Sequence, residues 1–231
     1  MKFYSQHGED CLLWELFKDS KPGIFVDVGA MDGIWFSNTY IFELANWKGI
    51  CVEAHPDYIP LLEKRRPNSI VVNAAVHSKN KDVVAFYANK WGAFSTLNPE
   101  FKKDFQRFGK WCPGWTKVEI PMCTLDSILE EHKITGPVDI VSIDVEGTEI
   151  DVLKGFNINK YKPRIFIIEA MKKHDVLPRD EYIKQYGYFK AIRIGCNIIY
   201  CRYKKDIPII TNAKIVPRES KHPLGDPEAD Q

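Results

Sequence analysis

The sequence predicts an α/β protein with a Rossmann-like, seven-stranded, mostly parallel sheet, a C-terminal antiparallel hairpin and helices on both faces. Two observations support this fold class. Strand-like apolar runs alternate with helical patterns along the 231 residues, which is typical of βαβ units and a largely parallel sheet. After the fifth such run, two apolar segments joined by a short glycine-containing turn indicate an antiparallel hairpin.

Five apolar runs are candidates for the parallel strands, since strands covered by helices on both faces are apolar nearly throughout. They are residues 24–28, 49–53, 70–76, 138–144 and 164–169. The hairpin is predicted from residues 188–194 and 198–203. Apolar residues at helical spacing predict the intervening helices, the first with Ser37 as its N-cap. These helices are residues 37–47, 56–66, 124–132, 146–154 and 179–186.

Two segments depart from this alternation. Residues 83–87 and 117–122 predict additional short strands within an aromatic, lysine-rich insert that spans about residues 83–122. We assign this insert to a domain of residues 1–211. The remaining residues, 212–231, are rich in proline and charge and predict a disordered tail.

The composition excludes several classes of function. A formal net charge of +1 argues against a general polyanion binder, so no nucleic-acid partner is expected. The six cysteines contain no C-x-x-C pair and no zinc-like spacing, which favours free thiols in a reducing compartment. The first ten residues are too polar for a signal peptide, and no apolar run reaches the roughly 18 residues that cross a bilayer. We expect a cytoplasmic protein without a membrane span; its oligomeric state stays open.

The most informative motif is the glycine turn after the first strand. Gly29 at the strand end allows close backbone approach to a ligand, and Glu53 after the second strand can accept hydrogen bonds from ribose hydroxyls. The third glycine of a dinucleotide motif is missing, and Asp32 places a negative charge where a pyrophosphate would lie. The turn therefore favours a cationic, amino-acid-bearing ligand, S-adenosylmethionine (SAM), over NAD.

Polar side chains recur at the carboxyl ends of the predicted strands, where open α/β sheets bind their ligands. In chain order, the residues at these ends are Asp27, Gly29, Asp32, Glu53, Ala54, Asn73, Ala74, Asp144, Glu146 and Glu169. Four of the five strands end in a carboxylate or an amide side chain, which chance alone would rarely produce.

Seven segments together resemble the FkbM family of SAM-dependent methyltransferases, in the expected order between residues 4 and 203. They are residues 5–10, 25–33, 37–39, 47–54, 73–76, 124–126 and 142–147. The resemblance implies the seven-stranded class I methyltransferase sheet. It also implies O-methylation of hydroxyl groups, often on sugars or glycans and sometimes on polyketide-type metabolites.

The resemblance also implies roles for individual residues around SAM. Residues 27–33 would surround its methionine part, and Ser37 and Asn38 would approach its carboxylate at a helix start. Glu53 would bind the ribose. The remaining cofactor-binding candidates are Gln6, His7, Ala54, Asn73, Ala74 and Asp144. Two cofactor-binding roles have an alternative that stays open. Asn38 could instead be a simple helix-start residue, and the polar segment at residues 6–10 could instead be an ordinary helix cap.

Methyl transfer to a sugar hydroxyl requires a general base or a bound metal ion, because the hydroxyl is a weak acid. Asp144 is our first candidate for the base, with Glu146, Glu169 and His174 as alternatives. Glu146 could instead cap the next helix, and Glu169 could support Asp144. Asp144 and Glu169 could also bind Mg²⁺, a possibility that stays open.

The leading hypothesis is thus an O-methyltransferase that acts in glycan modification. One alternative acceptor is a polyketide or another small-molecule hydroxyl. A second alternative is a catalytically silent SAM-fold module that binds a glycan or a partner enzyme. The missing glycine and the hairpin argue against an NAD-dependent oxidoreductase. Acceptor specificity is expected to lie in the insert.

Overall fold

The computed structural model describes residues 1–105, 114–170 and 173–216, and these residues form two sheets surrounded by helices. The strands are β1 (Ile24–Val28), β2 (Lys48–Glu53), β3 (Ser69–Asn73), β4 (Ala75–Val76), β5 (Lys81–Asn89), β6 (Trp115–Cys123), β7 (Ile140–Ile143), β8 (Ile165–Glu169), β9 (Phe189–Ile194) and β10 (Asn197–Cys201). The helices are α1 (Glu9–Phe17), α2 (Tyr40–Leu44), α3 (Ile59–Arg65), α4 (Phe101–Phe105), α5 (Leu125–Glu131), α6 (Glu149–Lys154), α7 (Ile158–Tyr161), α8 (Lys173–Lys184) and α9 (Ile207–Thr211).

The larger sheet has seven strands in the order β3-β2-β1-β7-β8-β10-β9. Its first five strands run parallel, and β10 pairs antiparallel with both β8 and β9. The predicted fold class is therefore confirmed. Because successive strands leave β1 in opposite directions, a crevice is expected at the carboxyl ends of β1 and β7.

The apolar side chains of this sheet form a separate core on each face, as the two-residue alternation of strands requires. On one face, Val26 and Val28 pack with residues of α5, α6 and α8. On the other face, Phe25 packs with residues of α1, α2, α3 and α9. Covering both faces explains why the parallel strands are apolar nearly throughout.

The run predicted as one strand, residues 70–76, is divided at Ala74. Its first part, β3, continues the larger sheet, whereas β4 pairs with β6 in a three-stranded sheet of order β4-β6-β5. The Asn73 side chain donates to the backbone oxygens of Glu53 (2.9 Å) and Ala54 (3.3 Å), which fixes the end of β3 against β2. In the insert, β5 and β6 are both longer than the strands that the sequence predicts. Residues 106–113 of the insert lie outside the described residues.

Two helices are shorter than the sequence predicts, because left-handed backbone conformations interrupt the pattern. The helix predicted at residues 37–47 is limited to α2, with Asn46 at φ 65° two residues before β2. The helix predicted at 146–154 begins only at Glu149, because Glu146 and Gly147 have φ values of 57° and 105°. Helices α7 and α9 were not predicted.

The C-terminal tail is described only to residue 216. Ala213 packs against the core that contains α1, and the Cys11 thiol donates to the Val216 carbonyl at 3.5 Å. Residues 217–231 lie outside the described residues, so the predicted disordered tail and the domain limit at residue 211 stay predictions. Within the described part of the chain, no helix combines the length and apolar character that a membrane crossing needs.

A fully buried ion pair connects the helices beside the glycine turn. Arg66, which directly follows α3, pairs with Glu43 of α2, and neither side chain has more than 3% exposure. The Arg66 guanidinium also donates to the Gly33 carbonyl (2.8 Å) and the Thr39 hydroxyl (2.8 Å). One cation therefore fixes the turn after β1, the start of α2 and the end of α3 relative to one another.

We predict that Arg66→Met lowers the free energy of unfolding by about 3–5 kcal/mol, because it leaves the Glu43 carboxylate buried without its cation. Urea denaturation of the purified protein measures this change. Lys18→Met is the matched control, since Lys18 forms an exposed ion pair with Glu15 whose loss costs about 0–1 kcal/mol. Equal effects of the two substitutions would contradict the role assigned to Arg66.

Candidate active site

A cleft of about 270 Å³ opens at the carboxyl ends of the parallel strands, as the reversal of strand order at β1 predicts. It brings together most of the site residues predicted from the sequence. Those that line it are Gln6, His7, Asp27, Gly29, Ser37, Asn38, Glu53, Ala54, Ala74, Asp144, Glu146 and Glu169.

Two predicted site residues, Asp32 and Asn73, are not in the cleft lining. The Asp32 carboxylate accepts hydrogen bonds from the backbone N–H groups of Ile34 (2.9 Å) and Trp35 (2.7 Å) and pairs with Arg65. Its charge is thus used inside the glycine turn, which removes the reason for expecting Asp32 to contact a cationic ligand. Asn73 holds the ends of β2 and β3 together through its side-chain amide.

Gly29 allows two backbone segments to approach closely at the base of the cleft. Its φ is 86°, and a Cβ at this position would lie 1.7 Å from the Asp144 carbonyl oxygen. The Asp144 N–H in turn donates to the Val28 carbonyl at 2.9 Å. The sequence indicated glycine here for contact with a ligand, whereas the structure shows that the neighbouring strand end already requires it.

Glu53 is positioned by backbone donors on both of its carboxyl oxygens. Oε2 accepts from the N–H of Met31 and Oε1 from the N–H of His55, each at 2.7 Å. Burial nevertheless raises the pKa of Glu53 to about 7, although these backbone hydrogen bonds oppose the shift. Each oxygen keeps a second lone pair, so the carboxylate can still accept hydrogen bonds from a ligand's hydroxyl groups.

Asp27 and its neighbours line the cleft next to the glycine turn. The Asp27 carboxylate accepts from the Thr39 hydroxyl, and the Ser37 hydroxyl lies 3.5 Å from it. Burial raises the pKa of Asp27, whereas the nearby Arg66 lowers it. Ser37 is not the N-cap residue, which is Thr39, but its hydroxyl accepts from the N–H groups of Thr39 (3.2 Å) and Tyr40 (3.1 Å).

Asn38 has one satisfied and one unsatisfied side-chain atom. Its Nδ2 donates to the Ser142 hydroxyl at 3.1 Å, whereas Oδ1 has no hydrogen-bond partner although the residue is only 7% exposed. Because Asn38 lines the cleft, this buried oxygen can accept a hydrogen bond from a ligand that enters it.

Three carboxylates meet near the carboxyl ends of β7 and β8, on the side of β1 opposite to β2. One oxygen each from Asp144, Glu146 and Glu169 lies within 4.8 Å of the other two. A hydrogen bond donated by a protonated Glu169 to Asp144 would oppose the upward shift of the Asp144 pKa. Burial, followed by repulsion from neighbouring carboxylates, raises the pKa of Asp144 to about 7 and raises the pKa values of Glu146 and Glu169 as well. We name these residues the carboxylate trio.

Glu146 joins the trio because its backbone is left-handed. Its Oε1 accepts from the Phe94 N–H at 3.3 Å, and its carbonyl accepts from the Thr96 hydroxyl at 2.8 Å. It lies before the N-cap of α6, which is Thr148, and so does not cap that helix as one sequence interpretation suggested. These contacts instead attach the insert loop at residues 92–97 to the trio.

The N-terminal segment combines helix capping with a place in the cleft wall. Asp10 accepts from the N–H groups of Tyr4 (2.6 Å) and Ser5 (3.2 Å), and the Ser5 hydroxyl accepts from the N–H of Gly8. The His7 N–H donates to the Glu9 carboxylate at the same helix start (2.9 Å), but the side chains of Gln6 and His7 are directed elsewhere. They contact Cys196 in the β9–β10 turn instead, with its sulfur 3.4 Å from Gln6 Oε1 and 3.6 Å from His7 Nε2.

The structure adds cleft residues that the sequence did not indicate. They are Trp35, Phe36, Ser142, Thr148, Cys196 and Asn197, among others. Ser142 could have been found, because it precedes Asp144 by two residues and therefore shares its side of β7. Phe36 could not, since a left-handed φ of 58° is rare for such a side chain. Phe94 also lines the cleft and belongs to the insert that the sequence analysis links to acceptor specificity. The side chain of His174, a predicted alternative base, lies outside the described residues.

Comparison with known proteins gives one family and one fold. The family model described as the methyltransferase FkbM domain matches residues 27–190. Among solved structures, the METTL16 MTase domain superposes with a TM-score of 0.50 at 12% identity, over 84% of this chain and 65% of that chain. Precorrin-6y C5,15-methyltransferase from Geobacter metallireducens gives 0.44 at 12% identity, over 83% of this chain and 85% of that chain.

A TehB-like SAM-dependent methyltransferase from Corynebacterium glutamicum gives a TM-score of 0.45 at 9% identity, over 85% of this chain and 88% of that chain. Among curated proteins, no sequence matches this chain significantly. At these identities, the METTL16 superposition shows the fold alone.

We predict that Glu53→Gln removes a pH-dependent loss of stability. The folded-state pKa of about 7 lies above the usual value of 4.5, so wild-type protein loses stability as the pH rises through this interval. The glutamine side chain does not ionise. The unfolding free energy of the variant minus that of wild type should therefore rise by up to about 3 kcal/mol between pH 4.5 and pH 8.

Urea denaturation across this pH range measures the difference, and the substitution Glu63→Gln at an exposed residue is the control. If the difference in unfolding free energy between Glu53→Gln and wild type does not change with pH, the Glu53 carboxyl ionises in the folded protein as it does in the unfolded chain.

Proposed function

The chain belongs to the methyltransferase FkbM domain family, and from this premise we propose that it transfers the methyl group of SAM to a hydroxyl oxygen of a sugar or glycan. Family membership supports a SAM-dependent methyltransferase. The oxygen acceptor and the carbohydrate substrate class are our proposals.

The observation that carries the proposal is a cleft lined by five carboxylates, which suits a cationic cofactor. These residues are Asp27, Glu53, Asp144, Glu146 and Glu169. The cofactor carries a sulfonium and an ammonium group, and both are attracted by such a lining. The unsatisfied Asn38 Oδ1 supplies a further acceptor for the ammonium group. The residues present therefore fit SAM.

We assign the cofactor's parts to this chain's residues by their position along the sheet. Asp27, Gly29, Ser37 and Asn38 would hold the methionine part beside β1. Glu53, at the end of β2, would accept hydrogen bonds from the ribose hydroxyls. Ala54 and Ala74 would border the adenine, while Gln6 and His7 would close the cleft from the N-terminal segment.

The trio supplies groups that can accept a proton from an acceptor hydroxyl. Methyl transfer to oxygen is an in-line displacement in which the O–CH₃ bond forms, the S–CH₃ bond breaks, and the hydroxyl proton must leave. Asp144 lines the cleft past the end of β7, so we assign it the role of proton acceptor. Glu169, which has a carboxyl oxygen within 4.8 Å of one of Asp144, would orient the Asp144 carboxyl group through a hydrogen bond.

The cleft wall contains aromatic rings that suit the apolar faces of a sugar. Trp35 and Phe36 stack with centroids 4.1 Å apart, and Phe94 lies on the insert loop. This supports the insert as the acceptor-binding region. The same rings would also accept a polyketide or another small molecule with a hydroxyl group. The described cysteines Cys11, Cys51, Cys123, Cys196 and Cys201 are free thiols, which supports our proposal of a cytoplasmic location.

The first test is calorimetric titration of the full chain with S-adenosylhomocysteine, with NAD as the parallel control. We expect micromolar affinity for the former alone. Glu53→Ala should weaken it at least about tenfold, since hydrogen bonds to a charged group contribute about 1.5–3 kcal/mol. Glu63→Ala, on the exposed face of α3, should bind as wild type does. Binding of NAD alone would overturn the proposal.

The second test separates catalysis from binding. Asp144→Asn should keep its affinity for S-adenosylhomocysteine within about threefold of wild type and reduce turnover at least about 100-fold, since general-base catalysis contributes about 10²–10⁴-fold. Turnover is measured as S-adenosylhomocysteine released from SAM over a panel of sugar and small-molecule alcohols. Undiminished turnover by the variant would eliminate Asp144 as the base. Cofactor binding without turnover of any alcohol would favour a silent binding module.

A further inference from the structure

We infer that the carboxylate trio is a binding site for a divalent cation of the Mg²⁺ or Mn²⁺ class, located where the acceptor oxygen would lie. This inference deepens the proposed function and rests on it for the role of the cation. The evidence for the cation site itself is the group of carboxylate oxygens at the ends of β7 and β8. This group includes Glu146, whereas the sequence offered only Asp144 and Glu169 for Mg²⁺.

The trio has the composition that a hard cation prefers. Asp144, Glu146 and Glu169 each offer a carboxylate oxygen, and these three oxygens lie within 4.8 Å of one another. Mg²⁺ binds oxygen ligands at about 2.0–2.1 Å, so oxygens around one ion are separated by at most about 4.2 Å. The three carboxylates therefore need only small side-chain rotations to share an ion.

A second observation, independent of the acidic cluster, is an unsatisfied hydroxyl in the same cleft. Thr148 is only 9% exposed and lines the cleft with the trio, yet its Oγ1 has no hydrogen-bond partner. The Oε2 atom of Glu146 is likewise buried and unpartnered. Buried polar atoms are normally satisfied, so an unpartnered hydroxyl in the cleft lining and an unpartnered oxygen of the trio itself indicate a ligand or its bound water.

Within the described residues, no side chain forms an ion pair with Asp144, Glu146 or Glu169, whereas the side chains of residues 171–176, which follow Glu169 closely in the sequence, lie outside them. By contrast, Asp32 pairs with Arg65 and Glu43 pairs with Arg66. Like charges this close repel strongly in a partly buried cleft, and a divalent cation removes that repulsion.

A bound cation would supply Lewis-acid polarisation of the acceptor hydroxyl, which makes its proton easier to remove. One oxygen from each carboxylate is enough to hold the ion. Asp144 therefore keeps its second oxygen for the proton. The contacts from Phe94 and Thr96 to Glu146 would then link the insert loop directly to a ligand of the ion.

The test is titration of chelator-treated full-length protein with Mn²⁺, followed by the electron paramagnetic resonance signal of free Mn²⁺, with and without S-adenosylhomocysteine. We expect one bound Mn²⁺ per chain, displaced by Mg²⁺. Glu146→Gln and Glu169→Gln should each weaken Mn²⁺ binding at least about tenfold, since each removes one charged ligand. Glu149→Gln is the matched control, because Glu149 is a nearby buried carboxylate outside the trio, and it should bind Mn²⁺ as wild type does.

Circular dichroism and the affinity for S-adenosylhomocysteine verify that each variant is folded. Failure of wild type to bind Mn²⁺ at millimolar concentration would overturn the cation site, as would equal weakening by Glu149→Gln. The proposed function fails separately, because it requires binding of S-adenosylhomocysteine whether or not Mn²⁺ binds. Stoichiometric Mn²⁺ binding that is lost only in the trio variants would establish the site even in that case.

Discussion

The buried pair between Arg66 and Glu43 is the interaction on which the geometry of the cofactor side of the cleft depends. A single guanidinium contacts the turn after β1, the start of α2 and the Glu43 carboxylate, all without solvent. Removing two charges from water is costly, so this pair is a poor source of stability by comparison with apolar packing. Its value is positional: it fixes Ser37 and Thr39 beside Asp27, whose carboxylate lines the cleft.

The acidic cleft places function and stability in conflict. Glu53 and the trio are held where burial and mutual repulsion disfavour their charged forms. A cationic cofactor and a divalent cation would both relieve this cost when bound. The protein therefore keeps an unfavourable charge distribution at one edge of the sheet, and the two apolar cores on either face of that sheet supply the stability that tolerates it.

The insert is attached to the chemistry through backbone geometry rather than through a long-range charge. Glu146 and Phe94 both adopt left-handed conformations that are unusual for their side chains. Phe94 donates to the Glu146 carboxylate, and Trp115 donates its indole N–H to the Phe94 carbonyl at 2.8 Å. The second sheet thereby holds the acceptor-side loop next to the trio, which makes this loop the natural place for acceptor selection.

The sequence by itself determined the fold class, the approximate positions of the parallel strands and most of the cleft lining. This was possible because strand periodicity and the rule for carboxyl ends of parallel strands are local and general. It did not determine which carboxylates face the ligand. Asp32 and Glu146 both follow a strand closely. Arg65 and two backbone N–H groups hold the Asp32 carboxylate inside the turn. In contrast, the left-handed backbone of Glu146 directs its side chain into the cleft. Tertiary structure decided this, because Arg65 lies 33 residues from Asp32 and Phe94 lies 52 residues from Glu146 in the sequence.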